Sequence, residues 1–367
     1  MRNVVFIENK IPSGDKEFND LVQRWGKYQS LFKQNSGGNT FSIFSFSSLS
    51  KQRKINLANY SINEFVDLQS NPISRLALAK RKIRSIPNQT TLICGDNQLS
   101  LFAALILKKF MTGKVFIQTQ FHGDTYSFAS NKGIRGFLRV CLSILAIRIS
   151  DSIRLVSEFQ IKEIDRLRRS HKVSYVIAPI PIDFRRIPEE FKDRDIDLLF
   201  VGRFHKERGI KELVTIIKEI NKNNPSLRIN LVGTGPLLRF AINELEMASN
   251  SGSIVFSGYL NFEQLRDVYS RSKVLISTAP REGYGLTLRE GALSAVSVVA
   301  RLSNGSLEAS RDFPDEIRTY TSAEDAINQI MDAIKKNSRN ISPDAKFKQM
   351  NKDLIGLNDL FDSWEGR

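Results

Sequence analysis

Cysteine and histidine are scarce in this chain, and their scarcity removes several kinds of chemistry. The two cysteines, Cys94 and Cys141, sit in apolar runs without CxxC spacing. They read as small buried hydrophobes of a protein kept in a reducing compartment, not as a disulfide or a metal site. The three histidines, His122, His171 and His205, are nowhere paired at ligand spacing, so no zinc or non-haem iron site is expected. Long hydrophobic runs are missing too. The charge-free run from Asn97 to Leu107, which includes an apolar stretch, is closed by Lys108-Lys109, well short of the ~20 residues that a spanning helix needs. Near the start, Val4-Val5-Phe6-Ile7 is followed at once by Glu8. That suits a first buried strand and not the hydrophobic segment of a signal peptide.

Negative charge is also in short supply. Against 54 Lys and Arg there are 39 Asp and Glu, leaving a net charge of +15. An excess of this size implies a polyanionic partner: nucleic acid, anionic lipid or a phosphorylated substrate. The basic clusters lie mostly in the first half, at 51–54, 80–84, 108–109 and 166–172. The plainer alternative is that they are solvated helix faces. Nucleic acid is not expected, because the clusters are scattered and neither a zinc knuckle nor an aromatic stacking motif accompanies them.

What is present points to two α/β domains. The chain of 367 residues is long for one core, and its apolar share of 41% and charged share of 25% are those of a globular protein. Short β-branched or aromatic runs alternate with longer amphipathic ones, the signature of parallel sheets. Strands are predicted at 4–7, 40–46, 90–94, 114–118, 152–156 and 175–178, with helices at 16–32, 74–85, 99–111, 134–149 and 158–169. Pro179-Ile180-Pro181-Ile182-Asp183 breaks the pattern, and the charged stretch 184–194 reads as a linker. A second series follows, with strands at 197–202, 229–232, 254–257, 274–277 and 296–300. Its helices are predicted at 210–223, 236–249, 262–271 and 286–294. From about residue 323 the tail reads as helical and polar, without chemistry of its own. The expected domains are 1–185, 186–344 and a helical tail, 345–367, which could pack back on the first domain. Two doubly wound, Rossmann-like domains would face each other across a cleft at the carboxyl ends of both sheets.

Several motifs sit at strand ends. Glu282-Gly283-Tyr284-Gly285-Leu286-Thr287-Leu288-Arg289-Glu290 places a glycine turn between a strand and a helix start, with a carboxylate on either side. The glycines let backbone approach a ligand, and the first N–H groups of the helix favour an anion. Carboxylates can hold hydroxyls of the same ligand, so the pattern fits a nucleotide-sugar. Gly202-Arg203-Phe204-His205-Lys206-Glu207-Arg208-Gly209 puts two arginines at another strand end, suited to a diphosphate or simply to solvent. Gly233-Thr234-Gly235-Pro236 lacks the third glycine of a dinucleotide loop and reads as a tight turn. Asp193-Arg194-Asp195-Ile196-Asp197 spells DxD but precedes its strand, so metal binding is not expected there. His122, beside Gly123 and Asp124, follows a strand where cleft residues belong.

In this order the motifs resemble family 4 glycosyltransferases of the GT-B fold. Gly202-Arg203 with Arg208-Gly209, Val232 to Pro236, Phe256-Ser257-Gly258-Tyr259 and the Glu282 to Glu290 segment carry the resemblance over about 197–310. It is weaker upstream, in His122-Gly123, in 150–157 and in 180–183. The resemblance implies that Arg203 and Arg208 bind the diphosphate, with arginine where lysine is usual at 208. It implies that Glu282 lies by the donor sugar and that the backbone of Gly283, Tyr284 and Gly285 meets that sugar. Leu286 and Thr287 would offer amides to the phosphates, Glu290 would hold the ribose hydroxyls, and Tyr259 and Leu260 would lie beside the base. Gly202 belongs to the diphosphate loop, and His122 would face the reacting sugar. Where the family carries Glu-Ala and Gly-x-Pro, this chain has Glu290-Gly291 and Ala295-Val296-Ser297. The glycine pair after the first strand is reduced to Ser13-Gly14, so Gly14 stands in for the donor-phosphate contact of that loop.

By this resemblance the chain is expected to be a retaining, metal-independent glycosyltransferase with no cofactor beyond its nucleotide-diphosphate sugar. The acceptor would be a glycan, in particular a lipid-linked one in bacterial surface polysaccharide assembly. The enzyme would be cytoplasmic, in peripheral contact with the anionic inner face of the membrane. Alternatives of other classes are a nucleotide-sugar epimerase, a glycoside phosphorylase, or a non-enzymatic RNA- or lipid-binding protein. Release of nucleotide diphosphate that depends on an added acceptor separates the first two from a transferase.

Overall fold

The computed structural model describes residues 3–8, 40–45, 56–57, 60–61, 89–95, 99–109, 111, 113–122, 134–168, 173–189, 193–246, 253–337 and 344–365. The chain divides into two compact units, one of residues 1–156, 160–178 and 356–367, the other of 157–159 and 179–355.

The first unit is a parallel six-stranded sheet in the order β2-β1-β3-β4-β5-β6. Its strands are β1 (Asn3–Glu8), β2 (Thr40–Ser45), β3 (Gln89–Cys94), β4 (Lys114–Phe121), β5 (Ser152–Leu155) and β6 (Ser174–Ile177). Helices α1 (Leu99–Lys108), α2 (Ile134–Ile149) and α3 (Phe159–Arg168) connect the last four. Leu92, Cys94, Ile117, Phe121, Ile153 and Leu155 alternate along β3–β5 and meet Leu101, Ala104, Ala146, Ile147 and Ile164 in one core. So these helices share one face of the sheet. Residues one register away, Thr91 and Gln118, point to the other face, where Trp364 lies fully buried. The Trp364 indole donates to Gln118 Oε1 at 2.7 Å and Thr91 Oγ1 donates to the Trp364 carbonyl at 2.7 Å. A buried tryptophan needs such a partner for its N–H.

The second unit has the order β9-β8-β7-β10-β11-β12, again all parallel. The strands are β7 (Ile196–Val201), β8 (Ile229–Val232), β9 (Ile254–Gly258), β10 (Ser272–Ser277), β11 (Ser297–Arg301) and β12 (Ile317–Tyr320). Numbered within the unit, this is 3-2-1-4-5-6, the doubly wound dinucleotide-binding order. Helices α4 (Ile210–Asn223), α5 (Leu238–Glu246) and α9 (Ala323–Lys336) pack on one face through Leu213, Ile216 and Ile217 with Ala241 and Ile330. Helices α6 (Phe262–Ser270), α7 (Leu286–Leu293) and α8 (Asn304–Asp312) cover the other, through Leu265, Val268, Leu288, Ala292 and Ala309. A last helix, α10 (Ala345–Glu365), gives its first half to this unit and its end to the first unit.

Two expectations are corrected. Cys141 is exposed, not buried, because α2 is apolar on its outer side as well as its inner. The stretch 184–194 is not a bare linker: Asp183 caps a 3-10 turn, Phe184–Arg186. The tail is helical, as expected, and its Gln349 reaches the loop that begins at Glu282. The expected helices 16–32 and 74–85, the Ser13-Gly14 pair, Gly123, Asp124 and the basic clusters 51–54, 80–84 and 169–172 lie outside the described residues.

Candidate active site

The strand order makes β7 and β10 neighbours while the helices that follow them go to opposite faces. That reversal is where ligands of open α/β sheets bind. The two loops leaving these strands are the Gly202–Gly209 and Glu282–Gly285 motifs, so two segments about eighty positions apart in sequence are brought side by side.

Their junction is tight. Gly209 has φ 65°, and a Cβ there would sit 2.0 Å from the Thr278 carbonyl oxygen, so any larger residue would push β10's end away. Thr278 Oγ1 donates to the Arg208 carbonyl at 2.7 Å. Across this contact Arg208 Nη1 donates to Glu282 Oε2 at 2.6 Å, with the Glu282 side chain only 13% exposed. Arg203 is different: 73% exposed, its nearest anion is Glu207 at 3.6 Å. Gly202 continues β7, and its N–H donates to the Val232 carbonyl at 3.0 Å, which seats the 233–236 turn against this loop.

Gly285 adopts the left-handed conformation at the N-cap of α7. The first-turn amides of α7, at Leu286 and Thr287, lack carbonyl partners within the helix and face outward from the turn, with the positive helix end behind them. Helix α8 presses on this loop: a Cβ on Gly305 would lie 2.4 Å from the Glu282 carbonyl oxygen and 2.8 Å from that of Gly283. Gly305 was invisible to motif reasoning, because its role is a close approach and not a turn.

Tyr284 points inward. Its ring lies 4.1 Å beneath the Arg289 guanidinium, and its hydroxyl accepts from Gln349 Nε2 at 3.0 Å. Burial pushes that hydroxyl up to about 12. Arg289, wholly buried, donates through Nε to the Tyr284 carbonyl at 3.2 Å and through Nη1 to Gln349 Oε1 at 3.2 Å. The Tyr284 side chain therefore anchors the loop from within. Gln349 comes from α10, so the polar tail pins the loop. Only a charged residue inside an apolar helix, Arg289, hinted at this in the sequence.

Glu290 is also covered. Oε1 accepts from Arg186 Nη1 at 2.8 Å and Oε2 from the Tyr269 hydroxyl at 3.2 Å. Burial pushes the Glu290 carboxyl above the usual carboxylate range, while Arg186 and Tyr269 pull it down. Each oxygen keeps a lone pair for a further donor. Arg186 belongs to the stretch read as a linker, and its signal, two arginines next to an aspartate cap, was too common to single out. Tyr259 is exposed just beyond β9 and Leu260 packs on the second core. His122 follows β4 directly and is exposed, in the first unit. Gly14 is outside the described residues. At the opposite, amino edge of β7, Asp195 is held by Arg271 and Asp197 by Lys273 at 2.6 Å.

Residues 182–352 match the family described as glycosyl transferases group 1. An uncharacterised glycosyltransferase of Bacillus subtilis, YqgM, is 25% identical over 170 residues, covering 46% of this chain and 46% of that protein. The chain thus spans less than half the length of that relative. Among solved structures, sucrose-phosphate synthase from Thermosynechococcus elongatus superposes with a TM-score of 0.74 at 16% identity, covering 100% of this chain and 99% of that one. HepE from Anabaena, in complex with UDP-glucose, gives 0.71 at 11% identity, covering 98% of each chain. Residues 182–352 are therefore similar to the glycosyl transferases group 1 family, in a chain of two Rossmann-like units with the fold of GT-B glycosyltransferases.

Proposed function

We propose that this chain is a retaining, metal-independent family 4 glycosyltransferase that moves a sugar from a nucleotide-diphosphate donor to an acceptor hydroxyl. The observation that carries this reading is the meeting of Arg208 and Glu282 beside the N-terminus of α7, at the reversal of strand order. The barrier lies in the departure of the diphosphate and in oxocarbenium charge on the sugar. Arg208, Arg203 and the α7 amides are the fixed positive groups for that leaving phosphate, and electrostatic aid of this kind is the largest expected term. Glu282 is engaged by Arg208, which suits positioning of the sugar and not covalent attack. On one face of the sugar, the leaving phosphate oxygen takes the proton of the acceptor hydroxyl as the new bond forms, so no separate general base is required. His122 would add a contact to the sugar, and Gly202, Gly283, Leu286, Thr287, Tyr259 and Leu260 would line the donor.

A UDP-sugar is the first donor to try, since the similarly folded HepE binds UDP-glucose. A thermal-shift screen with UDP-, GDP- and ADP-sugars tests donor binding. A ligand at 100 times its dissociation constant stabilises by roughly 2.7 kcal/mol. No shift with any of them rejects the reading. The acceptor is proposed to be a lipid-linked glycan of bacterial surface polysaccharide assembly, reached from the cytoplasmic side. Release of nucleotide diphosphate only on adding such an acceptor is the expected result.

Turnover is expected to survive EDTA. Two acids of the run at 193–197, Asp195 and Asp197, pair with Arg271 and Lys273 on the far edge of the sheet. Loss on chelation, restored by Mn²⁺ or Mg²⁺, would show that a cation does the work assigned here to Arg203 and Arg208.

Glu290→Gln is expected to weaken donor binding more than it slows turnover, since ribose contacts are equal in ground and transition states. Glu282→Gln should do the reverse. The folded-state carboxyl of Glu290 is raised above its unfolded value, so its ionisation costs stability at neutral pH, and the cost fades as pH falls towards the unfolded value. The glutamine variant should therefore unfold at or above the wild-type temperature at pH 7. Exchanged kinetic profiles for the two variants would mean the carboxylate roles are reversed.

A further inference from the structure

Helix α2 is apolar on its outward face as well as its inward one. Its inward face carries Gly136, Ser143, Ala146 and Ile147, all buried. Its outward face carries Ile134, Phe137, Leu138, Leu142 and Leu145, each between 41% and 77% exposed, with Cys141 among them. These positions recur every three to four residues, so they form one continuous stripe along the helix. Single exposed apolar residues are ordinary, but a row of large ones on one helix face marks an interaction surface.

The charges around the stripe select its occupant. No Asp or Glu occurs in α2. The strands are parallel and α1, α2 and α3 lie on one face of the sheet, so the ends of α1 and α2 and the starts of β4 and β5 share one edge. Lys108, Lys109, Lys114 and Arg148 are exposed there, beside the last turn of the stripe. Among the described residues the acid at that edge is Asp151, which accepts the Ile117 N–H at 2.8 Å. Neighbouring α3 adds exposed Lys162 and Arg166 along with Asp165 and the half-buried Glu163, and Glu158 precedes it. An apolar stripe ending in a cluster of cations matches the layering of an anionic bilayer, with acyl chains inside and phosphates at the surface.

We propose that the outer face of α2 is a lipid-docking surface that seats the first unit on an anionic membrane. Ile134, Phe137, Leu138, Leu142 and Leu145 enter the acyl boundary, and Lys108, Lys109, Lys114 and Arg148 meet the phosphates. This deepens the proposed function, because it rests on that reading for the membrane it serves. Its test reads lipid binding alone, and the nucleotide-sugar screen remains a separate measurement.

Cys141 supplies the probe, since Cys94 is buried. The rate at which a maleimide alkylates Cys141 in the full chain is measured alone, with phosphatidylglycerol-containing vesicles and with phosphatidylcholine vesicles. Anionic vesicles should slow alkylation by about tenfold or more and float the protein. Flotation should fall, without vanishing, as salt shortens the Debye length from about 10 Å at 0.1 M to about 3 Å at 1 M. The double variant Phe137→Ser, Leu138→Ser should lose at least roughly tenfold in vesicle partition, with donor-induced thermal shifts unchanged. An unchanged alkylation rate on anionic vesicles overturns the proposal. So does protection of Cys141 without lipid: if it grows with protein concentration, a second copy covers the stripe, and if not, this chain covers it. Complete loss of flotation in 1 M salt would leave charge alone as the cause and also overturns it.

Discussion

Arg208→Ala and Arg203→Ala are each expected to cut turnover by about 10- to 150-fold, the loss of one charge-assisted hydrogen bond to phosphate worth roughly 1.5–3 kcal/mol. The two variants should differ in stability. Arg203 is exposed and its contact with Glu207 is long, at 3.6 Å, so its removal should change unfolding by less than about 0.5 kcal/mol. Arg208 neutralises the largely covered Glu282 at 2.6 Å. Its loss strands a carboxylate and should cost roughly 1–3 kcal/mol besides the turnover. Arg208→Lys keeps the charge and gives up the planar fork, so it should retain most activity. Steady-state kinetics with the donor found in the screen, together with thermal unfolding, decide the matter. Wild-type kinetics for Arg203→Ala would remove the diphosphate role from that loop.

The same contrast explains what the sequence could reveal. Glycine motifs at strand ends are local, so the loops at 202–209 and 282–285 were legible, as were helices such as α4 and α2 whose limits match the periodic runs. Helix α8, Asn304–Asp312, and strand β12 behind it were not anticipated. That helix is polar, holds a glycine in its first turn, and starts from a Ser303–Ser306 capping box and not from an apolar stripe. The partners of Glu290 and Arg289 were hidden for another reason. Arg186 reaches Glu290 across 104 positions and Gln349 reaches Arg289 across 60. No local pattern encodes such a pair; it exists only once both chain segments have been brought to α7 by the sheet. Cys141 failed in the opposite direction. An apolar neighbourhood normally means burial, and α2 breaks that rule on its outer face.

Arg289→Ala is expected to be the most destabilising of the single changes considered. The guanidinium has no exposed surface, pairs with Asp312 and lies 3.8 Å from Glu308. Removing one member of a buried ionic group costs roughly 3–5 kcal/mol, because the remaining charges are left uncompensated. For a unit of this size that is a fall of about 10 °C in unfolding temperature. Lys352, which also contacts Asp312 at 2.6 Å and Glu308 at 3.5 Å, should keep the loss from exceeding this range. Burial pushes the Asp312 carboxyl up, but Arg289 and Lys352 outweigh it and hold it below the ordinary range. A depressed carboxyl contributes stability above its unfolded value and loses it as pH falls through the folded one. The gap between wild type and variant should therefore be widest near neutral pH and narrow in acid. The Tyr284 carbonyl and ring lose their anchor at the same time, so the 282–285 loop should loosen and donor affinity should drop even in the fraction that stays folded. A gap that stays constant down to pH 3 would show that Arg289 acts by packing on Tyr284 and Phe313, and not through its acidic partners.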